Sequence, residues 1–217
     1  MAKFRAKIEN DEILELLSAW CEGEVIVVDN NDHDFAADYL SQCSVLGFDT
    51  ETRPSFKKGV NYPLSLLQLS GDEKTFLFRV DRIKLSNRVV RLLRSKSIIK
   101  VGADIKEDIR KLQEIVKFTP EGFVDLQKIA IDYGIEEKSL KKLTAIVLGR
   151  KLSKAQRLSN WSAKTLTEQQ ITYAATDSYV SREIYLTLLD SEYDDDDYFD
   201  DNEILDENFE EAETVIN

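Results

Sequence analysis

The sequence predicts an α/β domain built on a mixed β-sheet flanked by helices. Three observations carry that prediction. Two strand-like runs are joined by a hairpin signal, and later short apolar runs alternate with helical periodicities. The chain has 217 residues, 42% of them hydrophobic, ample for a single core. The hairpin introduces antiparallel pairing into a chain that otherwise alternates, so a purely parallel, doubly wound sheet is not expected.

In chain order, Asn10 or Asp11 caps a first amphipathic helix, with Ile13, Leu14, Leu16, Leu17 and Trp20 on its apolar face up to a break at Gly23. Residues 24–29 form a β-rich run and residues 34–42 a second helix. Residues 44–51 read as a buried strand that emerges into polar residues. Strands at 64–70 and 75–79 flank Gly71-Asp72-Glu73-Lys74, the hairpin signal. A helix near 86–94, a strand at 98–101 and a helix at 106–116 follow, then helices at 125–133, 139–148 and 167–189. The expected organisation is an N-terminal helical extension over residues 1–24, the main domain over 25–189 and an acidic tail over 190–217.

The formal net charge of −12 is concentrated in that tail. Residues 190–217 hold 14 of the 41 acids and no Lys or Arg, leaving 27 acids against 29 bases in residues 1–189. A near-neutral body is compatible with a polyanionic ligand, and the tail is a candidate site for a basic protein partner. Within the tail, Leu205, Phe209, Ala212 and Ile216 fall on one helical face; a short acidic helix and a self-repelling disordered segment are both open readings. No apolar run approaches the roughly 20 residues needed to span a bilayer, so no membrane partner is expected. The N-terminus lacks the apolar segment of a secretory signal, and Cys21 and Cys43 offer at most one disulfide, so a reduced cytoplasmic setting is expected. His33 is the only histidine. Multi-histidine zinc chemistry is thereby excluded, and catalysis must run mainly on carboxylates, hydroxyls or lysines.

Three carboxylate groupings stand out. Asp49 and Glu51 are two apart in a strand, so they project from one face at the end of Val45-Leu46-Gly47-Phe48. Side by side they raise one another's pKa unless a cation neutralises them. Tyr173 and Asp177 lie one helical turn apart, with small residues at Ala174 and Ala175 that permit close helix–sheet approach. Asp104 and Asp108 lie one turn apart where a strand leads into a helix, and Asp104 can also be read as an N-cap. Each alone has an ordinary structural reading. Together they form a carboxylate set without histidine, and all-oxygen ligation suits Mg²⁺ or Mn²⁺. Four carboxylates balance two divalent cations, the device that supports phosphodiester cleavage.

Phe48-Asp49-Thr50-Glu51, Pro63 to Leu69, Gly102 to Leu112, Leu158 to Ser162, Leu166 and Tyr173-Ala-Ala-Thr-Asp177 resemble the motifs of the DEDDy 3′–5′ exonucleases. The resemblance covers about residues 25–190; it is nearest to the exonuclease domain of the Werner-syndrome helicase and its stand-alone bacterial relatives, and more distant from ribonuclease D. It implies a ribonuclease H-like fold and hydrolysis from a free 3′ end of DNA or RNA, single-stranded or recessed duplex, releasing nucleoside 5′-monophosphates. It implies two divalent cations, Mg²⁺ or Mn²⁺, held by Asp49, Glu51, Asp108 and Asp177, with Tyr173 positioning the attacking water. Asp108 fits the motif's register, and Asp104 is the alternative. The resemblance places Leu66 and Leu67 near the terminal nucleotide, although both also read as strand core. Trp161 either stacks near the substrate or plugs the core. Lys57, Lys58, Lys154 and Arg157 are candidate phosphate contacts, with Lys151 beside them. The rival reading is a catalytically weak nucleic-acid-binding scaffold with an acidic interaction tail. Such a scaffold should lack at least one of the five site residues, and none is missing.

Overall fold

The computed structural model describes residues 4–196; the expected tail stripe at Leu205, Phe209, Ala212 and Ile216 lies outside the described residues. The chain runs α1 (Asn10–Glu15), β1 (Leu17–Ser18), β2 (Glu24–Val28), α2 (Asp34–Leu40), β3 (Val45–Thr52), β4 (Leu64–Ser70), β5 (Lys74–Phe78) and α3 (Asn87–Leu93). It continues with β6 (Ile99–Gly102), α4 (Lys106–Ile115), β7 (Phe123–Asp125), α5 (Leu126–Asp132), α6 (Leu140–Leu148), β8 (Arg150–Lys151) and α7 (Glu168–Asp196).

Six strands form one sheet in the order β2-β5-β4-β3-β6-β7. Pairing is parallel at β2–β5, β3–β6 and β6–β7 and antiparallel on both sides of β4, so β4 alone runs against its neighbours. The expected mixed sheet is therefore present, with the β4–β5 hairpin as its source. Leu46, Phe48, Leu67, Leu69, Phe76 and Phe78 of one face bury against α2, α3 and α4. The other face packs on α7, with α5 and α6 outside it, through Leu66, Leu77, Val101, Ala174, Ala175 and Ile184. Alternation along the strands sends successive side chains to these two layers.

The amino-terminal region departs most from expectation. α1 is capped by Glu9 and not by Asn10 or Asp11, and the Glu9 N–H donates to Glu12 Oε1 at 2.9 Å in a reciprocal capping box. The helix stops at Glu15 because Leu16 is extended and the chain enters β1, which pairs in parallel with β8. Leu17 and Trp20, expected on a buried helical face, are consequently exposed, while Ile13 packs with Ile8 and Ala145. The extension is thus tied to the main domain. At the other end α7 continues to Asp196, past the expected stop at Leu189. A change in charge does not break a helix, and no Gly or Pro occurs between 168 and 196. β7 was not expected; three residues are too few to show a period.

His33 is buried between α2 and α3, its Nδ1 donating to Asn30 O (3.0 Å) and its Nε2 accepting from Ser86 N (3.1 Å). Both ring nitrogens are committed to loop geometry, in keeping with chemistry that does not use histidine. Cys21 and Cys43 are both free thiols.

Gly47 is the residue that lets α7 reach the sheet. A Cβ there would stand 1.9 Å from the Ser178 carbonyl oxygen and 3.2 Å from Arg182 Cβ. Ser70 and Ser178 hydroxyls meet at 2.7 Å across the same contact. Gly47→Ala is expected to destabilise the fold by about 1–3 kcal/mol, because backbone must move to admit the methyl. Urea unfolding of both proteins measures this; an unchanged midpoint would show that the contact tolerates expansion.

Candidate active site

β3 delivers Asp49 and Glu51 to the α7-facing side, one pleat beyond Gly47. α7 delivers Asp177 from the residue before Ser178, which is held against Gly47. One carboxylate oxygen from each of Asp49, Glu51 and Asp177 lies within 4.8 Å of the others. Asp108, on the first turn of α4, is outside this triplet. Thr50 alternates to the opposite face of β3, and its hydroxyl donates to Asp108 Oδ1 around the end of the sheet. β3 and β6 both end at this edge, where open α/β sheets place ligands.

Burial dominates the electrostatics of these acids. Desolvation and the neighbouring Asp49 and Asp177 push Glu51 up to about 10. Desolvation pushes Asp177 up to about 7, eased by a hydrogen bond from Tyr173 and by the Lys154 charge. Asp49 is raised well above the carboxylate range by burial and then by Asp177 and Asp108. Asp108 is raised by burial and partly relieved by Thr50 and Lys111. Among the described residues none of the four forms a salt bridge. Asp177 Oδ1 is enclosed without any hydrogen-bond partner among them. Converging, unpaired carboxylate oxygens with one orphaned buried acceptor fit hard divalent cations.

Tyr173 is half-buried one turn before Asp177, and its ring lies 6.0 Å from that of Trp161 at 42°. Burial first, then Asp177 and Glu51, hold its phenol above the usual tyrosine range, so it stays protonated. A cavity of about 390 Å³ opens beside Tyr173 and Asp177, walled by Leu152, Ser153 and Gln156.

The structure brings Asp49, Glu51, Asp177 and Tyr173 together, with Asp108 at their margin. Asp104 is exposed in the left-handed region at φ 60, its N–H donating to Asp125 Oδ1, and Ile105 is the N-cap of α4; Asp104 is neither cap nor member of the cluster. Of the residues the resemblance places near the substrate, Trp161, Leu66 and Leu67 are fully buried, the placement of the alternative core readings. Leu66 and Trp161 fill the layer under α7, and Leu67 fills the opposite one, because β4 is a central strand covered on both faces. Trp161 walls Tyr173 from behind. Lys154 and Arg157 are exposed on the segment before Trp161, with Lys154 close enough to favour ionised Asp177. Lys57 and Lys58 are exposed on the loop after β3.

Thr50, Lys111 and Gln68 were not singled out from the sequence. Gln68 pairs directly with Asp49 in the β3–β4 register, and both its amide atoms are buried without a partner among the described residues. Thr50 had a sequence signal in its position between the two acids. Lys111 and Gln68 had none beyond the motif segments that contain them.

Most of the described chain is similar to known proteins. Residues 25–191 match the model of a 3′–5′ exonuclease family. This chain belongs to the 3′–5′ exonuclease family. The mouse bifunctional 3′–5′ exonuclease/ATP-dependent helicase WRN is 38% identical over 155 residues, covering 69% of this chain and 11% of that protein. Mouse exonuclease 3′–5′ domain-containing protein 2 is 32% identical over 194 residues, covering 82% of this chain and 30% of that protein. The chain therefore spans less than a third of the length of these relatives. In fold it is similar to the Aedes aegypti Nibbler EXO domain (TM-score 0.70, 24% identity, 78% of this chain and 89% of that one). It is similar also to Escherichia coli RNase D (TM-score 0.67, 21% identity, 78% of this chain and 46% of that one). The expected ribonuclease H-like fold is thereby supported.

The acid cluster makes a prediction for the exonuclease-family domain free of cations. Carboxyls with raised folded-state pKa values bind protons more tightly folded than unfolded. Stability in chelator should therefore fall as pH rises from the ordinary carboxylate range through about 7 for Asp177 and toward about 10 for Glu51. Thermal unfolding in chelator should give a lower midpoint at pH 8 than at pH 5, with Mn²⁺ restoring it. Asp49→Asn should raise the unfolding midpoint of the chelated protein at pH 8, because it removes a buried carboxyl that ionises at a cost. A midpoint that rises toward pH 8 in chelator would contradict this electrostatic account.

Proposed function

We propose that the domain hydrolyses the terminal phosphodiester at a free 3′ end of DNA or RNA and releases nucleoside 5′-monophosphates. The observation that carries this reading is the convergence of three unpaired carboxylates beneath a protonated tyrosine at the carboxyl edge of the sheet. Asp49, Glu51 and Asp177, with Asp108 beside them, would hold two Mg²⁺ or Mn²⁺ ions. Such ions, when bound, supply an activated water and stabilise the departing oxygen. Tyr173 holds its proton, so its hydroxyl orients the nucleophile by hydrogen bonding and does not act as a ground-state base. Trp161 backs the phenol ring, and Asp177 one helical turn further on lies close enough to keep its hydroxyl protonated. Thr50 holds the Asp108 carboxylate in place.

The test is a time course on 5′-labelled single-stranded DNA, recessed duplex and RNA with Mg²⁺, Mn²⁺ or chelator. Wild type should shorten the strand from its 3′ end only with metal, and Asp49→Ala should abolish the ladder. Tyr173→Phe should slow the step by about 10²-fold, the order expected when a reacting group loses its orienting partner. A ladder that survives chelation, or Asp49→Ala, would rule out this mechanism. A folded protein that binds Mn²⁺ and strand yet yields no ladder would favour the scaffold reading.

A further inference from the structure

The loop over residues 53–63 springs from β3 two residues after Glu51 and returns into β4. With α4 it encloses a polar cavity of about 630 Å³, bounded by Thr52, Arg53, Lys57 and Tyr62 on the loop side and by Arg110 and Lys111 on the helix. Lys111, on the wall of this cavity, donates to Thr52 Oγ1 at 3.4 Å, and its charge favours the ionised forms of Glu51 and Asp108.

Charge is unevenly committed around this cavity. Arg110 is engaged by Glu107 (2.6 Å) and by Glu114, so those three groups largely cancel. Arg53, Lys57 and Lys58 form no ion pair among the described residues. Arg53 lies 4.7 Å from the centroid of the Tyr62 ring, joining the two ends of the loop. At the loop's tip Phe56 is 83% exposed, more than any other large hydrophobic side chain among the described residues. Lys57 and Lys58 follow it directly, both exposed.

We propose that this loop is a docking surface for the single strand behind its 3′ end, with Phe56 as a stacking platform for one base and Lys57, Lys58 and Arg53 as contacts to the flanking phosphates. The inference rests on, and deepens, the proposed nuclease function. An exposed aromatic ring beside unpaired cations matches the chemistry of a strand that offers both π-faces and phosphates. Every base has such a face, so the surface reads no sequence. A protein partner is disfavoured because one ring beside lysines lacks the contiguous apolar core that protein interfaces bury. The Arg53–Tyr62 contact holds the loop's base in place, which reduces the ordering cost on binding.

Fluorescence anisotropy of a 5′-fluorescein oligothymidylate, and separately an oligouridylate, in chelator reads binding without cleavage. Phe56→Ala should weaken binding about tenfold, and Phe56→Trp should restore it. Lys57→Ala with Lys58→Ala should lower the slope of log affinity against log salt by about 1.4, for two phosphate contacts on a single strand. Because Phe56 is exposed, its replacement leaves no cavity. Wild-type-like affinity in Phe56→Ala overturns the stacking platform whatever the nuclease assay shows. Loss of affinity in Phe56→Ala sustains it, even if the metal-dependent ladder is absent and only the hydrolytic reading fails. Wild type that binds neither oligonucleotide overturns the docking surface, whereas the hydrolytic reading stands or falls with the metal-dependent ladder.

Discussion

The approach of α7 to β3 at Gly47 is the contact on which the site depends. It lets the Ser178 carbonyl sit where any side chain on the strand would stand. Asp177 is the adjacent helical residue, and Asp49 is the next residue of β3 on that face. The carboxylates converge because the backbones do. Ala174 and Ala175 extend the small interface along α7, and Trp161 fills the space left at its rim under Tyr173. Packing on one side of the sheet thus sets both the separation of the acids and the tilt of the phenol.

That arrangement places polar groups where an ordinary core would have none. The buried side-chain atoms without a partner among the described residues belong to Gln68, Trp161 and Asp177, all in the layer between the sheet and α7. The opposite layer, under α2 and α3, is a continuous apolar cluster, and His33 and Lys100, buried against it, both have hydrogen-bond partners. The fold therefore separates its tasks by face: one side supplies cohesion, and the other tolerates repelling carboxylates that a divalent cation would neutralise. Thr50 links the two, leaving β3 toward the cohesive side yet holding Asp108 at the edge.

Much of this was legible in the sequence. The hairpin signal around Gly71 identified the antiparallel strand, and period-two spacing placed Asp49 and Glu51 on one face. Helical spacing joined Tyr173 to Asp177. Reading failed where the determinant was not local. A local feature was missed as well: Glu9 caps α1 through a reciprocal bond with Glu12, in place of the more usual Asn or Asp. β1 exists because β8 pairs with it across more than a hundred residues, and that pairing exposes Leu17 and Trp20. Leu66 and Leu67 are buried because β4 is a central strand covered on both faces, and Trp161 is buried from the segment between β8 and α7; neither burial shows in the local sequence. Gln68 opposite Asp49 required the β3–β4 register, which is a tertiary fact.

The most direct test of the central claim, that the contact at Gly47 assembles a protonated acid cluster awaiting divalent cations, is calorimetric titration of Mn²⁺ into the chelator-stripped protein. Running it at pH 7 in two buffers of different ionisation enthalpy counts the protons released. Because Glu51 lies near 10 and Asp177 near 7 without metal, binding should expel about one proton or more. Binding with no proton release, or no binding by the folded protein, would contradict the account.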